Sequence, residues 1–535
     1  MGEQPITVIQ HLFCSNTSSD LLIYNNMIPV CRYRDYCDIK ELFIDIKTKV
    51  QVTLKIDYYH IGGTIESIPS EIGNEPIRVE TADIKAIIFD ISTDDLEMID
   101  SGVVYVPVQA KNKIKLAHVV CTYHREDAVE EKIELVKNVE KDGYHLFIID
   151  NGNTLKDRSE HNVSIIQSPN YGGSSGFSRG MDIAVRQGFT HILLNDDDAF
   201  LDPESIFRLI SFLELLKEGE EGLCISGIML DSHDITKVYS TGGRLKENGI
   251  KPYSCGLDVS KKEELLHLFD EHIIDFSDWT LFCIPTRTVQ ETGLALPMFI
   301  WYDDVEYGIR LKAHITTLPG VSVWHPTRFD RFSTAHRYYE VRNRLVTLSV
   351  SGLADRDYIE KVFESIAVDA ASYRYTCAEE SLCGVEDFLL GPDHLFSLCQ
   401  EGMRANQPLE LDELDKLHKK LDFVSIPSCN FNLRKYTLNG LLLPSIGDVE
   451  ASPFEMDTAK FYRAKRILYQ YSSEKGFVAK RNLMKAVAIT ISILRMKRKV
   501  LKALPELTKR YSESLPHYSS FNHWRKLWDD DPHNR

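Results

Sequence analysis

The stretch Val163–Ala199, VSIIQSPNYGGSSGFSRGMDIAVRQGFTHILLNDDDA, decides how the middle of the chain folds. A short apolar run leads into a Gly/Ser loop that opens a helical pattern. A second apolar run then ends in Asp196, Asp197 and Asp198. Strand, crossover helix and strand at this spacing make a parallel pair. Two more strands come just before, KLAHVVCTY (115–123) and YHLFIIDNG (144–152), with the amphipathic helix EDAVEEKIELVKNVE (126–140) between them. After the triple Asp, Asp202 reads as an N-cap and Pro203 as the first residue of a helix. Ile206, Leu209, Ile210, Leu213 and Leu216 form that helix's apolar face. Such alternation predicts an α/β unit with a parallel, doubly wound sheet.

Outward from this segment the rhythm changes on both sides. Residues 1–112 read as short strands, among them ELFIDIKTKVQVTLKIDYYHI, KAIIFDIS and GVVYVPVQA, which predicts a β-sandwich. From about Leu353 the chain reads as mainly helical, with a loop-rich stretch between Cys429 and Phe454. A chain of 535 residues is too long for one ordinary core. The expected units are therefore 1–112, 113–351 and 352–535.

Composition narrows the function classes. The chain is 43% hydrophobic and 26% charged, as in soluble globular proteins. Its 11 cysteines form no C-x-x-C pair, which points to a reducing compartment. MGEQPITVIQ has neither the basic and apolar regions of a signal peptide nor a myristoylation pattern. The longest mostly apolar run, Ala486–Leu494, falls short of the ~20 residues that span a bilayer. A cytoplasmic location follows as an expectation. The net charge of −17 argues against nucleic acid as a partner. Lys460–Arg510, however, holds 15 Lys/Arg against 2 Asp/Glu, a balance of +13 that leaves −30 for the remainder. Its segments KFYRAKRILYQY and KRNLMKAVAITISILRMKRKVLKAL interleave basic with apolar residues, as in helices that lie on an anionic membrane surface. Packing on the acidic body, or contact between copies in a homo-oligomer, is the plainer alternative.

Polar residues gather where the four strands end: Thr122 with Arg125, Asp150 with Asn151, Asn170, and Asp196–Asp198. Ligands of open α/β sheets bind outside those ends. NYGGSSGFSRG offers backbone N–H groups at a helix start, which suit a diphosphate. It is not G-x-G-x-x-G and follows the third strand, so a dinucleotide reading is weak. Three carboxylates beside a diphosphate repel it unless a divalent cation, Mg2+ or Mn2+, lies between. A solvated acidic turn is the bland reading of DDD; its place after a buried strand favours the metal. A second acidic pair, Asp303–Asp304, precedes the helical pattern VEYGIRLKAH and either caps it or does chemistry. VSVWHP ends a strand at Trp324 and His325, and that imidazole is a candidate third ligand.

The ordered set VVCTYHRED, PNYGGSSGFSRG, LLNDDDAF, LPMFIWYDDVEYGIRL, LPGVSVWH and YYEVRNRL, over residues 116–350, resembles inverting glycosyltransferases of the GT-A (Rossmann-like) fold. More narrowly it is similar to the family 2 type bacterial transferases that extend galactan from UDP-galactofuranose. The resemblance implies a UDP-sugar donor held by Thr122, Tyr123, Arg125, Asp150, Asn151, Asn170, Gly172, Gly173, Asp196 and Asp197. It implies Asp196, Asp198 and His325 around Mn2+ or Mg2+. It further implies Asp304 as general base, Asp303 beside it orienting the acceptor, and Trp279 and Trp301 against that acceptor. The acceptor would be a cell-surface or lipid-linked glycan, met at the inner face of the membrane. Two departures stand out: Trp279 is flanked by Asp278 and Thr280 rather than by another aromatic, and Glu340 stands where a His is expected before x-R-N-R. Other expectations are a different donor such as dTDP-rhamnose, a nucleotidylyltransferase, or a non-catalytic glycan-binding protein.

Overall fold

The computed structural model describes the chain apart from residues 1–4, 14–18, 73–74, 91–96, 138, 140, 157–160, 328–331, 405–408, 427–429 and 531–535. The extreme N-terminus and Cys429, both used above, therefore lie outside the described residues.

The strands expected in the middle of the chain form, and they lie in the expected order. They are β1 (Leu116–Thr122), β2 (Tyr144–Asp150), β3 (Val163–Gln167) and β4 (His191–Asp196). They pair in parallel as β3-β2-β1-β4. Apolar residues on both faces drive this burial; Val119, Val120, Ile148, Ile149, Leu193 and Leu194 are all inaccessible. Helix α1 (Glu126–Val136) follows β1, α2 (Gly172–Arg186) follows β3, and α3 (Pro203–Leu215) follows the short strand β5 (Phe200–Leu201). Asp202 caps α3 by accepting from the Glu204 amide at 2.9 Å, with Pro203 next in line. The sheet continues as β7-β6-β8-β5, with β6 (Cys224–Asp231), β7 (Phe282–Pro285) and β8 (Ile315–His325). Strand β7 runs antiparallel to both β4 and β6, while β6 and β8 are parallel. The order reverses between β1 and β4, which opens the crevice where α/β sheets take ligands. The result is an α/β domain on an open, mixed sheet with a doubly wound parallel half.

Two antiparallel sheets precede it. One carries Thr7–Leu12, Ile99–Val106, Glu41–Thr48 and Ile77–Glu80; the other Ile65–Ile72, Val52–His60 and Ile84–Asp90. The helix Val30–Cys37 interrupts a segment expected to be all strand. Ile44, Ile56, Val104 and Phe89 share one buried cluster with Leu116, Ile148, Phe212 and Val323, so the apolar core runs unbroken into the central sheet.

The C-terminal region is helical, built on α5 (Thr334–Val350), Arg356–Ala371, Tyr375–Leu390 and Leu483–Tyr518. It also contains a four-stranded sheet, Asp412–Glu413, Lys475–Lys480, Ala464–Gln470 and Gly447–Ala451, which the mainly helical reading did not include. Within it, Ala464–Gln470 turns the basic segment KFYRAKRILYQY into a strand, paired with its hairpin neighbour Lys475–Lys480 on one side and with Gly447–Ala451 on the other. The long helix Leu483–Tyr518 buries Ala486, Ile489, Ile493, Met496 and Val500 against the other helices, so most of its apolar face is used internally. The helix Phe521–Asp529 returns to the central sheet. Arg525 donates twice to Asp182 Oδ1 at 2.9 and 2.6 Å, and Trp528 Nε1 donates to Ser175 Oγ at 3.0 Å, both on α2.

Candidate active site

The acidic loop after β4 is the first half of the site. Asp196, Asp198 and His325, the last residue of β8, each present one ligand atom within 4.8 Å of the others. His325 Nε2 stands 3.0 Å from Asp198 Oδ1 and 3.5 Å from Asp196 Oδ2. Neither ring nitrogen has a hydrogen-bond partner, although the residue is buried. An imidazole left in that state next to two carboxylates has the donor set of a Mn2+ or Mg2+ site. Adjacent ligands around such a cation lie about 3 Å apart when its bonds are ~2.1 Å long.

The repulsion inside Asp196–Asp198 is met from two sides. Arg125 spans Asp197 and Asp198 from the solvent side. From beneath, the fully buried Lys132 of α1 reaches the Asn195 side chain and the Asp196 carbonyl, and donates to the Ala199 carbonyl at 2.9 Å. Burial lowers its ammonium to a pKa of about 7, against the upward pull of Asp197 and Asp196. Asn195 also bonds the buried His118 at 3.2 Å, which in turn bonds the Tyr144 hydroxyl at 2.8 Å. Burial depresses that imidazole to about 3, so it stays neutral. Lys132 was not singled out in the sequence, yet its signal was there. It occupies the apolar stripe Val129, Lys132, Ile133, Val136 of α1, where a charge has no place without a partner.

The donor-side residues divide. Thr122 donates to Asp197 Oδ2 at 2.8 Å, which ties the end of β1 to the acidic loop. Tyr123 is 50% exposed and makes a T-shaped pair with His124. Asp150 is inaccessible, and its carboxylate accepts from the amides of Gly152, Thr154 and Leu155 at 2.8–2.9 Å. It shapes the turn that follows β2. Asn151 Nδ2 donates to the Gly172 carbonyl at 3.1 Å, while its buried Oδ1 has no partner. Asn170 Oδ1 accepts from the Gly172 amide at 3.2 Å.

The glycine loop does not stand open as a phosphate cradle. Gly172 has φ +82°, and a Cβ there would meet the Phe299 carbonyl oxygen at 2.1 Å; at Gly176 one would meet Cys121 Sγ at 2.1 Å. These glycines let α2 press against β1 and against the 298–302 turn. The Ser174 amide donates to the Phe299 carbonyl, and the Phe299 amide to Ser174 Oγ. Gly173 lies beside the second acidic pair, 3.7 Å from Asp303 Oδ2 when a Cβ is built on it.

That pair opens helix α4 (Asp303–Leu311). Phe299, Trp301 and Tyr302 before it all have positive φ, near 70°, which costs about 1–3 kcal/mol each in non-glycine residues. The motif VRNRL holds the turn. Asn343 Nδ2 donates to the carbonyls of Met298, Ile300 and Trp301, and Arg342 donates to Met298. The sequence drew attention to that motif without revealing this task. Trp301 is partly exposed and tilted against His336. Glu340 accepts from Arg337 at 2.6 Å.

Burial raises the Asp303 carboxyl to about 7, helped by Asp196 and Glu306 against local backbone hydrogen bonds. Asp304 rises too, through burial first and then the nearby charges of Asp303, Asp278 and Asp196. Asp278 belongs to the same group. Burial raises it, while a Ser240 hydrogen bond and His325 pull it down. It was not a sequence candidate, since one Asp in an irregular stretch carries no spacing signal. Trp279, expected against a sugar, is only 4% exposed. The edges of Phe177 and Tyr307 pack around its ring at 5.0 and 5.9 Å, so it offers no face to an acceptor here.

Comparison with known proteins adds an independent line. Residues 118–239 match Glycosyl transferase family 2. The galactofuranosyltransferase GlfT2 of Mycolicibacterium smegmatis is 24% identical over 584 aligned residues, covering 94% of this chain and 88% of that protein. GlfT2 of Mycobacterium tuberculosis is 25% identical over 433 residues, covering 71% of this chain and 66% of that protein. Among solved structures, S. aureus TarS 1–349 with UDP-GlcNAc aligns at a TM-score of 0.33 and 12% identity, covering 52% of this chain and 81% of that one. The mannosyltransferase PcManGT from Pyrobaculum calidifontis, with GDP-Man and Mn2+, aligns at 0.30 and 11%, covering 54% and 80%.

Proposed function

We propose that this chain, a glycosyltransferase with a family 2 domain, moves galactofuranose from UDP-galactofuranose onto a hydroxyl of a growing cell-surface glycan, with inversion. The observation that carries the chemistry is the meeting of two unlike acidic groups in one crevice: Asp196, Asp198 and His325 on one side, Asp303, Asp304 and Asp278 on the other. Asp196, Asp198 and His325 would hold Mn2+ or Mg2+, which when bound neutralises the charge on a departing diphosphate. Thr122, Tyr123 and Arg125 lie at the donor side. Asp304, its proton affinity raised, takes the proton of the acceptor hydroxyl as that hydroxyl attacks the anomeric carbon. Asp303 beside it and the partly exposed Trp301 orient the acceptor. One displacement inverts the centre, and no covalent intermediate on the protein is needed.

The donor follows from similarity to galactofuranosyltransferases over most of the chain. The test is UDP release and product mass from UDP-galactofuranose, with dTDP-rhamnose in parallel and with acceptor present or withheld. Acceptor-dependent turnover with the rhamnose donor alone would overturn the donor assignment. No turnover with any nucleotide sugar would overturn the enzyme reading.

Residues 1–112, 113–351 and 352–535 form the proposed division of labour, with a lipid-linked glycan as acceptor and several copies per assembly. A peripheral place on the inner face of the membrane fits one surface of the helix Leu483–Tyr518. No described helix is long and apolar enough to cross a membrane. Met484, Ile491 and Leu494 nevertheless remain 60–80% exposed beside Arg495, Arg498, Lys499 and Lys502. Against this, Lys485 and Lys497 pair with Glu379 and Glu360 of the body. Flotation with phosphatidylglycerol vesicles at low salt should recover the full-length protein, and retention in the soluble fraction would refute the anchor.

A further inference from the structure

Away from the crevice at the carboxyl ends of the strands, a buried arginine stands without a carboxylate beside it among the described residues. Arg32, on the helix Val30–Cys37, is 7% exposed. Its Nε has no hydrogen-bond partner, and its Nη2 makes one long contact, 3.5 Å, to Thr317 Oγ1. Among the described residues no carboxylate lies within ion-pair distance of it. Arg208 and Arg374, equally buried, each lock onto a carboxylate, Glu204 and Asp369 respectively, while the buried Arg342 and Arg344 donate to the carbonyls of Met298 and Glu247. A buried guanidinium nitrogen with no acceptor and no counter-charge is costly, so the site suits something the chain does not itself supply.

Arg32 lines a cavity of about 240 Å3. The hydroxyl-bearing Thr241, Thr316 and Thr317 line it as well, with His314 at the rim. Thr316 and Thr317 open β8, whose far end is His325. β6 pairs Ser226 with Thr317 and Asp231 with His325, so at ~3.3 Å per residue the cavity lies on the order of 17 Å from the metal ligands. It is therefore a second place, at the opposite end of the strand.

We infer that this cavity binds a small phosphate-class oxyanion, held by the Arg32 guanidinium and the threonine hydroxyls. The guanidinium gives planar, charge-assisted donors, and hydroxyls donate to the remaining oxygens. The volume leaves room for a polar body on the phosphate, so free phosphate and a sugar phosphate are both compatible sources. Two carboxylates also line the cavity. Asp270 is engaged by His267 at 2.9 Å and Lys85 at 3.9 Å, whereas Glu271 is exposed and is the rival anion to test.

The test uses the full-length protein in EDTA, which keeps phosphate from a metal-bridged site. Melting is followed in sodium phosphate, in a hexose 1-phosphate and in chloride at matched ionic strength. Both phosphates should raise the melting temperature. Arg32→Gln should raise the half-saturating phosphate concentration about tenfold or more, the loss of one charge-assisted contact. Asp198→Ala should keep the response. If Arg32→Gln does not fold, Thr317→Val reads the same contact and should weaken the response. A stronger response to the hexose phosphate identifies a sugar phosphate as the occupant, and equal responses identify free phosphate. The proposal is overturned by equal melting in phosphate and chloride, by an unaltered response in Arg32→Gln, or by its loss in Asp198→Ala. A response that arises only in Glu271→Gln would make Glu271 the internal counter-ion and would equally overturn it.

Discussion

The two acidic clusters of the crevice have similar composition and unlike partners. Asp196–Asp198 sit between Arg125 above and Lys132 below, and the loop's carbonyls are held by the same lysine. Asp303, Asp304 and Asp278 have no cation paired to them among the described residues, and all three are pushed toward the protonated form by burial. The first cluster is tied down by two cations and by Thr122, and even so burial raises the Asp197 carboxyl against their pull. The second is kept hungry for a proton, which is what a base acting near neutral pH needs. Residue type alone does not separate these roles; the placement of two cations does.

Four experiments press on that contrast, and the largest effect comes first. Asp304→Asn removes the proton acceptor while leaving shape intact, so turnover should fall by about 10²–10⁴ with UDP affinity nearly unaltered. Near wild-type UDP release by that variant would place the base elsewhere. Asp198→Ala or His325→Ala should weaken Mn2+-dependent UDP binding by about 10–100-fold or more, as even losses behind the ligands do. Calorimetry with and without EDTA reads it, and equal affinity in both conditions would reduce the loop to an acidic turn.

The third is a pH profile. A base with a raised pKa is ionised above that value and protonated below it. The rate therefore falls as pH drops through the pair's value of about 7 for Asp303 and the raised value of Asp304, near tenfold per unit at the limit. An acid limb near pH 4 would mean the second cluster is as well compensated as the first. The smallest effect belongs to Lys132→Met. Loss of a cation beneath the loop raises its carboxylate pKa values, so metal-dependent UDP binding should fail about one pH unit higher than in the wild type. An unshifted midpoint would leave Arg125 as the only counter-charge that matters.

Much of this was legible in the order of residues. β1 to β4, α1 and the Asp202–Pro203 start of α3 follow from periodicity and capping, because each is decided by neighbours in sequence. The grouping of Asp196, Asp198 and His325 was a candidate from their places at strand ends and was also implied by resemblance, and the fold brings the three together by pairing β6 with both β7 and β8. What stayed hidden depends on distant chain. Asp278 joins the second cluster from a loop with no pattern of its own. Trp279 is claimed by Phe177 and Tyr307, which no local rule announces. The strand Ala464–Gln470 looked amphipathic, but its partners at Gly447–Ala451 and Lys475–Lys480 decide its form. Lys132 lay in plain view and needed only the question of why a lysine occupies an apolar stripe.

The clasp of Arg525 and Trp528 on α2 has a bearing on biosynthesis. Asp182 and Arg525 are 343 residues apart, so the helix beside the acidic crevice emerges from the ribosome long before the side chains that fasten it. At ~5–20 residues per second the wait is roughly 20–70 s. During that interval the Asp182 carboxylate has only Arg186 of its own helix as a partner, and Ser175 lacks its indole. Translation that aborts between His325 and Phe521 therefore yields a chain with every proposed catalytic side chain but without this clasp.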